Sequence, residues 1–238
     1  MVDKYVYDEA KAAKSRGIME ARHSVRQYRE TPIPAGLRAE LDSYVRELNA
    51  DSGLNVQIFY DEPACFGSAR AKYGRFGACA NYISMVGSKK LPDAAERCGF
   101  YGELLVLKAQ ELGLNTCWVA LTHGQTQAAV AADEEEFIVI SLGFGANAGA
   151  EHKSKKPEEV SDIAEDSPEW YRRGVEAALL APTAINQQKF RFTRSGSSVC
   201  AAAGRIGPCL KIDLGIVKCH FELAAGKANF EWSDKPLK

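Results

Sequence analysis

The sequence predicts an α+β chain, with mixed β-sheets flanked by helices and two related halves that together mimic a two-fold dimer. Three observations carry that class. Helical periodicities alternate with short runs of strand type, a polar segment divides the chain into two such series, and the second series repeats spacings of the first. At 238 residues, with 46% hydrophobic and 26% charged side chains, the chain is long enough to bury a core and has ordinary globular composition.

The first series opens with an Ala- and Lys-rich stretch, Val6 to Arg16, that predicts a helix closed near Gly17. Thr31-Pro-Ile-Pro follows as a stiff extended connection, because each Pro fixes its own φ and keeps its predecessor out of the helical region. Leu37, Leu41, Tyr44, Val45 and Leu48 then recur on one helical face. Asp51-Ser-Gly breaks that helix, and Asn55 to Tyr60 alternates as a half-buried strand does. Asn81 to Gly87 predicts a second strand, and Gly102 to Leu112 a mostly buried helix closed by Gly113. Asn115 to Leu121 leads out of that helix. Glu136 to Gly145 holds a continuous apolar run, expected for a strand covered on both faces.

Residues 1–150 make up the expected first half. A polar stretch from Ala146 to Ser167 supplies a linker at 151–167, and residues 168–238 form a shorter second half. There, helices are expected over Pro168 to Leu180 and Leu214 to Ala225, and strands over Lys189 to Thr193 and Ala228 to Trp232. Asn55-x-Gln57-x-Phe59 is matched by Asn186-x-Gln188-x-Phe190, an offset of 131 (186 − 55). Gly102, Gly113 and Trp118 are matched by Gly215, Gly226 and Trp232, at offsets of 113, 113 and 114 (215 − 102, 226 − 113, 232 − 118). Spacings this long point to a doubled half-domain rather than a solenoid.

Thirty basic against thirty-one acidic residues, with no long basic run, argue against a nucleic-acid partner. No stretch reaches the roughly 20 apolar residues that span a bilayer, and the first ten residues lack an apolar signal core, so the expectation is a cytoplasmic protein without a membrane partner. The seven cysteines are scattered, with no C-x-x-C pair and no His-rich cluster, so neither a disulfide framework nor a metal site is expected. His220, between Cys219 and Phe221 in an apolar helix, reads as a core histidine.

Four stretches carry polar chemistry. Arg22-His23-Ser24-Val25-Arg26 sets two guanidinium forks beside a hydroxyl and an imidazole, suited to a phosphate or an anionic ring edge. It equally fits a solvated basic turn beside Glu20 and Glu30. Ala181-Pro182-Thr183-Ala184-Ile185-Asn186-Gln187-Gln188 offers amides whose donors and acceptors match a flavin edge, or a helix terminus that satisfies its own backbone. Asn115 to Leu121 could pass its backbone along a flat ligand, although Trp118 alone would be core. Lys153-Ser154-Lys155-Lys156 could meet a phosphate or stay a solvated loop.

Arg22-His-Ser-Val-Arg-Gln-Tyr with Pro32-Ile-Pro behind it resembles the R-[RH]-S-x-[RK]-x-[FY] and P-I-P signature of the FMN-dependent nitroreductase family. Ala181-Pro-Thr-Ala-Ile-Asn-Gln-Gln resembles that family's A-P-S-x-x-N-x-Q element, with Thr183 in place of Ser. Gly113-Leu-Asn-Thr-Cys-Trp resembles its G-L-G-x-x-W segment, and Val139 to Gly145 its strand ending in G-Y/F. One departure stands out: the A-P-S-like element begins 159 residues after the first signature (181 − 22), not within a few dozen. That placement resembles a tandem variant in which one chain does the work of a homodimer.

The resemblance implies one FMN per chain and a monomer acting as a pseudo-dimer. Arg22, His23, Ser24 and Arg26 would hold the ribityl phosphate and ring edge, and Pro182, Thr183, Ala184, Asn186 and Gln188 would close the other side. Val119, Ala120 and Leu121 would pass the ring by backbone contacts, and Lys153 or Lys155 would reach the phosphate. NADH or NADPH would reduce the flavin, and a small-molecule electron acceptor, a nitroaromatic or quinone, would reoxidise it. No side chain is expected to be catalytic, since the flavin carries the chemistry. The alternatives are a non-catalytic FMN storage or sensor protein, and flavin destruction or dehalogenation on the same fold.

Overall fold

Pro34 cannot continue an extended pairing, and the Leu41, Val45, Leu48 stripe it introduces is buried as helix α2 (Ala35–Ser52), which Gly53 closes in the left-handed region at φ +69°. That helix belongs to the unit Arg22–Glu151, one of two compact units into which the chain divides. A computed structural model describes residues 9–235 and residue 237. Of the helix expected over Val6 to Arg16, the first three residues lie outside the described ones. The described part, α1 (Glu9–Ala21), runs through Gly17 and packs on the second unit's long helix, so it groups with residues 152–238 and not with the first half.

The first unit is a four-stranded sheet in the order β1-β2-β4-β3, from β1 (Asn55–Phe59), β2 (Asn81–Ser88), β3 (Asn115–Val119) and β4 (Glu134–Gly143). Every pairing is antiparallel, with Asn55 opposite Val86, Ile83 opposite Ile140, and Trp118 opposite Ile140 on the far edge. The expectation of a mixed sheet is corrected here. The apolar run in β4 reports burial on two faces, and helices supply that burial without any parallel pairing. Helix α5 (Ala94–Glu111), which begins eight residues before the expected Gly102, packs with α2 on the sheet. The short helices α3 (Ala64–Gly67) and α4 (Ala69–Tyr73) accompany a cluster of Val25, Tyr28, Phe66, Phe76, Tyr82 and Val139.

The second unit holds α1, α6 (Pro157–Val160), α7 (Glu169–Ala178), a 3-10 turn at Ala184–Asn186, β5 (Phe190–Ser195), β6 (Ser198–Ala203), α8 (Leu210–Ala225) and β7 (Glu231–Trp232). β5 and β6 form a hairpin turned by Gly196 at φ +60°, and β7 adds in parallel, so this small sheet is mixed. Its core is aromatic. Phe192 stacks on Phe221 at 4.7 Å between centroids, and Phe221 meets Phe230 edge-on at 5.1 Å. The stretch 151–167, expected as a linker, is folded into the unit: Ser161 bridges Phe192, and the Asp162 carboxylate accepts from Tyr171 Oη at 2.6 Å and from Arg194 N–H at 2.8 Å.

The two repeat matches fare differently. Asn55 to Phe59 is a strand, but Asn186 and Gln188 sit at φ +54° and +45° in a left-handed turn, so that match is one of letters and not of conformation. The second match holds in shape. Gly113 and Gly226 both follow a helix at positive φ, and each Trp after them donates its indole N–H at 2.9 Å to a Glu of that helix, Trp118 to Glu103 and Trp232 to Glu222. His220 is buried with Nδ1 3.0 Å from the Ala177 carbonyl, as a core histidine is expected to be, and six of the seven cysteines are buried thiols.

Gly102 is where α5 meets β3 most closely. A Cβ there would lie 2.5 Å from Trp118 Cη2 and 3.2 Å from Met85 Cε, the first half-buried and the second fully buried. Gly102→Ala is expected to destabilise the fold by about 1–3 kcal/mol through overpacking, despite Ala's better helix propensity. A urea melt showing no loss would mean that Trp118 yields freely.

Candidate functional site

The first signature is laid along the edge of the sheet. Ser24 bridges Thr116 in parallel, Val25 N–H donates to the Thr116 carbonyl at 3.0 Å, and Tyr28 N–H and Gly77 N–H exchange bonds with the Gly77 and Arg26 carbonyls at 3.0 Å. Gly149, at φ +78°, closes against it: a Cβ there would meet His23 Cβ at 2.7 Å and the Ser24 carbonyl at 3.0 Å. Beyond the Ser24 bridge the strip leaves β3, with Gln27 bridging Gly77 in parallel and Tyr28 bridging Gly145 in antiparallel. Ser24 thus meets the start of β3, while Val25 and Val119 share the cluster that holds Phe76, over which Arg26 lies.

Within that strip the side chains divide. Val25 and Tyr28 are buried, with Tyr28 Oη 2.7 Å from the Val25 carbonyl and 2.6 Å from Ser141 Oγ. Burial pushes the Tyr28 hydroxyl well above its usual range, so it stays neutral. Arg26 is exposed, its guanidinium carbon 6.0 Å from the centre of the Phe76 ring. The neighbouring Cys117 thiol is pushed up by burial, against the opposing pull of Arg26, a Ser24 hydrogen bond and Arg22, which keeps it an unreactive thiol.

Arg22, expected at a phosphate, is only 3% exposed, and its Nε lies 3.9 Å from Glu103 Oε1 without a hydrogen-bond partner. Glu103 is wholly buried on α5 and takes the Trp118 indole on its other oxygen. Sequence reading passed over Glu103, and a lone acid in the run Gly102-Glu-Leu-Leu-Val-Leu was the signal available.

Beyond Val119 the chain emerges. Ala120 and Leu121 are exposed, Leu121 to 80%, and they line a groove of about 440 Å³ with Ser68, Arg70, His123 and Gln125. His123 Nδ1 lies 2.8 Å from the Gly124 carbonyl, to which it donates. Gly74 backs onto this loop: a Cβ would meet Thr122 at 2.6 Å, next to the Phe76 ring that Arg26 covers. An exposed guanidinium, a hydroxyl and an open apolar rim beside a groove of ligand size suit a phosphate-bearing flat ligand.

The second group of expected residues is brought together in the other unit. Gln188, 3% exposed, accepts from Lys155 N–H at 2.8 Å and donates to the Lys153 carbonyl at 2.7 Å and to Asn186 Oδ1 at 2.8 Å. Asn186 donates to the same Lys153 carbonyl at 2.9 Å, and Lys155 Nζ to the Gln188 carbonyl at 2.9 Å. Thr183 Oγ1 accepts from Gln188 N–H at 3.0 Å, while Lys153 itself is exposed. The amides expected to face a ligand are thus engaged in holding their own turn. Asp213 on α8, also passed over in the sequence, receives Ala184 N–H at 3.0 and 3.1 Å and Gln187 Nε2 at 2.7 Å.

Residues 16–225 match a protein family described as "Putative TM nitroreductase". The chain belongs to this nitroreductase family. Membership makes it a nitroreductase-family oxidoreductase, and no curated protein sequence matches it. A crystal structure of a "putative nitroreductase" from Thermotoga maritima has 22% identity, covers 88% of this chain and 82% of that one, and superposes with a TM-score of 0.63, which shows a shared fold. A nitroreductase-like protein from Streptococcus mutans matches at 13% identity, over 64% of this chain and 98% of that one, with a TM-score of 0.50. A nitroreductase-family structure from Desulfovibrio desulfuricans, in complex with FMN, matches at 16% identity, over 65% and 98%, with a TM-score of 0.49. Among the described residues of this chain no helix is long and apolar enough to cross a membrane, and no group of three or more His, Cys, Asp or Glu is arranged to hold a metal.

Truncating Glu103 leaves the Arg22 guanidinium buried without a counter-charge. Glu103→Ala is expected to cost about 3–5 kcal/mol, whereas Glu103→Gln, which keeps an acceptor for Trp118, is expected to cost less. Equal losses in chemical denaturation would mean that the charge is irrelevant and only packing counts.

Proposed function

We propose that this nitroreductase binds one FMN per chain and passes two electrons from NADH or NADPH through it to a small acceptor of the nitroaromatic or quinone type. The observation that supports the reading is the exposed Arg26 guanidinium over Phe76, with Ser24 against β3, on motif positions of the family to which the chain belongs. Bound FMN supplies hydride acceptance and donation, chemistry that no side chain of the chain provides.

The chain's own residues bind and orient. Arg26 offers a bidentate fork to the phosphate or ring edge, with Ser24 and His23 beside it. Arg22 supports that strip from within through Glu103. Val119, Ala120 and Leu121 present backbone and an apolar rim to the ring, and the groove along Arg70 and His123 admits reductant and acceptor in turn. The turn from Pro182 to Gln188 is assigned to the cofactor as well, through Pro182, Thr183 and Ala184, with Asn186 and Gln188 shaping it from within and Lys153 and Lys155 as its cationic partners. Two related halves in one chain, standing for the subunits of a homodimer, complete the reading.

The test is anaerobic titration of the FMN-reconstituted protein with NADH and with NADPH, followed by absorbance. Saturation at one FMN per chain and bleaching by either nucleotide are expected. A bound flavin that neither nucleotide bleaches would make the protein a store or sensor, and a failure to bind FMN would overturn the reading. Arg26→Ala is expected to weaken FMN binding about 10- to 100-fold, the loss of one charge-assisted contact, with the fold's melting temperature unchanged.

A further inference from the structure

The turn after Thr183 holds three non-glycine residues in the left-handed region: Ile185 at φ +50°, Asn186 at +54° and Gln188 at +45°. Each costs on the order of 1–3 kcal/mol, and such backbone persists only where the surroundings over-determine it. Ile185 is β-branched and 86% exposed, so neither propensity nor burial of its own side chain explains the shape. The restraint must come from the groups beneath the turn.

Asp213 is the group placed to do this. It stands in the first turn of α8, 5% exposed, and its two oxygens receive Ala184 N–H and Gln187 Nε2. Those two residues bracket Ile185 and Asn186. Gln187 Nε2 also donates to the Pro208 carbonyl at 2.7 Å, while its Oε1 is buried without a hydrogen-bond partner. Among the described residues no cation pairs with Asp213. Its titratable neighbour in the same turn is the half-buried Cys209 thiol, pushed up by burial and then by Asp213. On the elements packed against α8, Arg16 of α1 is paired with Glu20 and with Glu176 of α7, Arg172 and Arg173 lie on α7, and His220 of α8 itself meets the Ala177 carbonyl. Lys211, on α8's exposed side, is the nearest cation in sequence.

We propose that Asp213 is a positioning residue, a buried carboxylate latch whose ionised form holds the Ala184–Gln188 turn in its left-handed shape. A carboxylate accepts both N–H groups at once. A neutral acid gives up acceptor capacity, and it can donate to Gln187 only if that amide turns over, which breaks the bond to Pro208. Burial pushes the Asp213 carboxyl up to about 6 while the Gln187 and Ala184 hydrogen bonds hold it down, so releasing the turn with the carboxyl still buried raises it further and protonation favours release on the mildly acid side of neutrality. The linkage has the opposite sign for the whole fold. A carboxyl raised above its unfolded value near 4 contributes global stability that is full below that value and lost as pH rises through about 6. Between about pH 4 and 6, then, local order at the turn and this group's share of global stability run in opposite directions.

Amide hydrogen exchange on the full chain, read by NMR at Ala184, Gln187 and Gln188 and corrected for intrinsic rates, tests the latch. Protection in the wild type is expected to fall about 10-fold or more from pH 7.5 to pH 5, and in Asp213→Asn to be low and flat with pH. Wild-type protection that is flat with pH, or an Asp213→Asn turn as protected as the wild type, would overturn the proposal. Should the variant not fold, the wild-type pH series decides alone. The consequence for cofactor retention rests on the FMN reading: wild-type FMN affinity is expected to drop with the latch below about pH 6. A latch that loosens while FMN affinity stays constant removes this turn from the flavin site. A chain that never binds FMN removes the functional reading and leaves the latch standing.

Discussion

The buried carboxylate of Glu103 fixes where the signature strip of the first unit begins. It joins three elements at one point: α5, from which it projects, β3 through the Trp118 indole, and the Arg22 guanidinium that begins the signature strip. A buried ion pair contributes little net stability, because desolvating both charges offsets their attraction. What it supplies is register. With Gly102 opening room for the Trp118 ring beside it, β3 can approach α5 in one way only, and the strip that pairs with Thr116 follows.

The second unit reaches a comparable end by other means. Its sheet is small, and the rings of Tyr171, Phe192, Phe221 and Phe230 fill its core. A Cβ on Gly174 would meet the Phe221 ring at 2.6 Å, so α7 and α8 approach as closely as an absent side chain permits. This leaves the Thr183–Gln188 segment little choice. It leaves α7 at a fixed height and must enter β5 at Phe190, and the short distance is covered by left-handed residues pinned to Asp213.

Much of the fold was legible because long elements carry long periodicities. The α2 stripe and the strands around Val56, Ile83 and Ile140 stand out from their neighbours in sequence as they do in burial. The start of α5 was hidden because Ala94, Cys98 and Gly99 put only small side chains on its buried face, and β6 because Ser198 to Ala203 is mostly small residues with weak strand preference. The Asn-x-Gln-x-Phe match misled for a physical reason. Amide side chains stabilise both an edge strand and a left-handed turn, so the letters do not choose between them. Glu103 and Asp213 were illegible as anchors, since an acid on an apolar helix reads equally as a solvated flank or a buried partner until the neighbours are placed.

The motif residues therefore fall into two chemical roles that a pattern of letters merges. Asn186 and Gln188 have their amides committed to Lys153, Lys155 and each other, so they shape the turn and have little capacity left for a ligand. Thr183 differs: its oxygen accepts from Gln188 N–H, which leaves its own hydroxyl proton to donate. Arg22 and Arg26 divide in the same way, one buried against Glu103 and one exposed over Phe76. Spacing in the signature places a guanidinium on each side of the strip, and burial then decides which of the two can meet a ligand and which holds the strip in place.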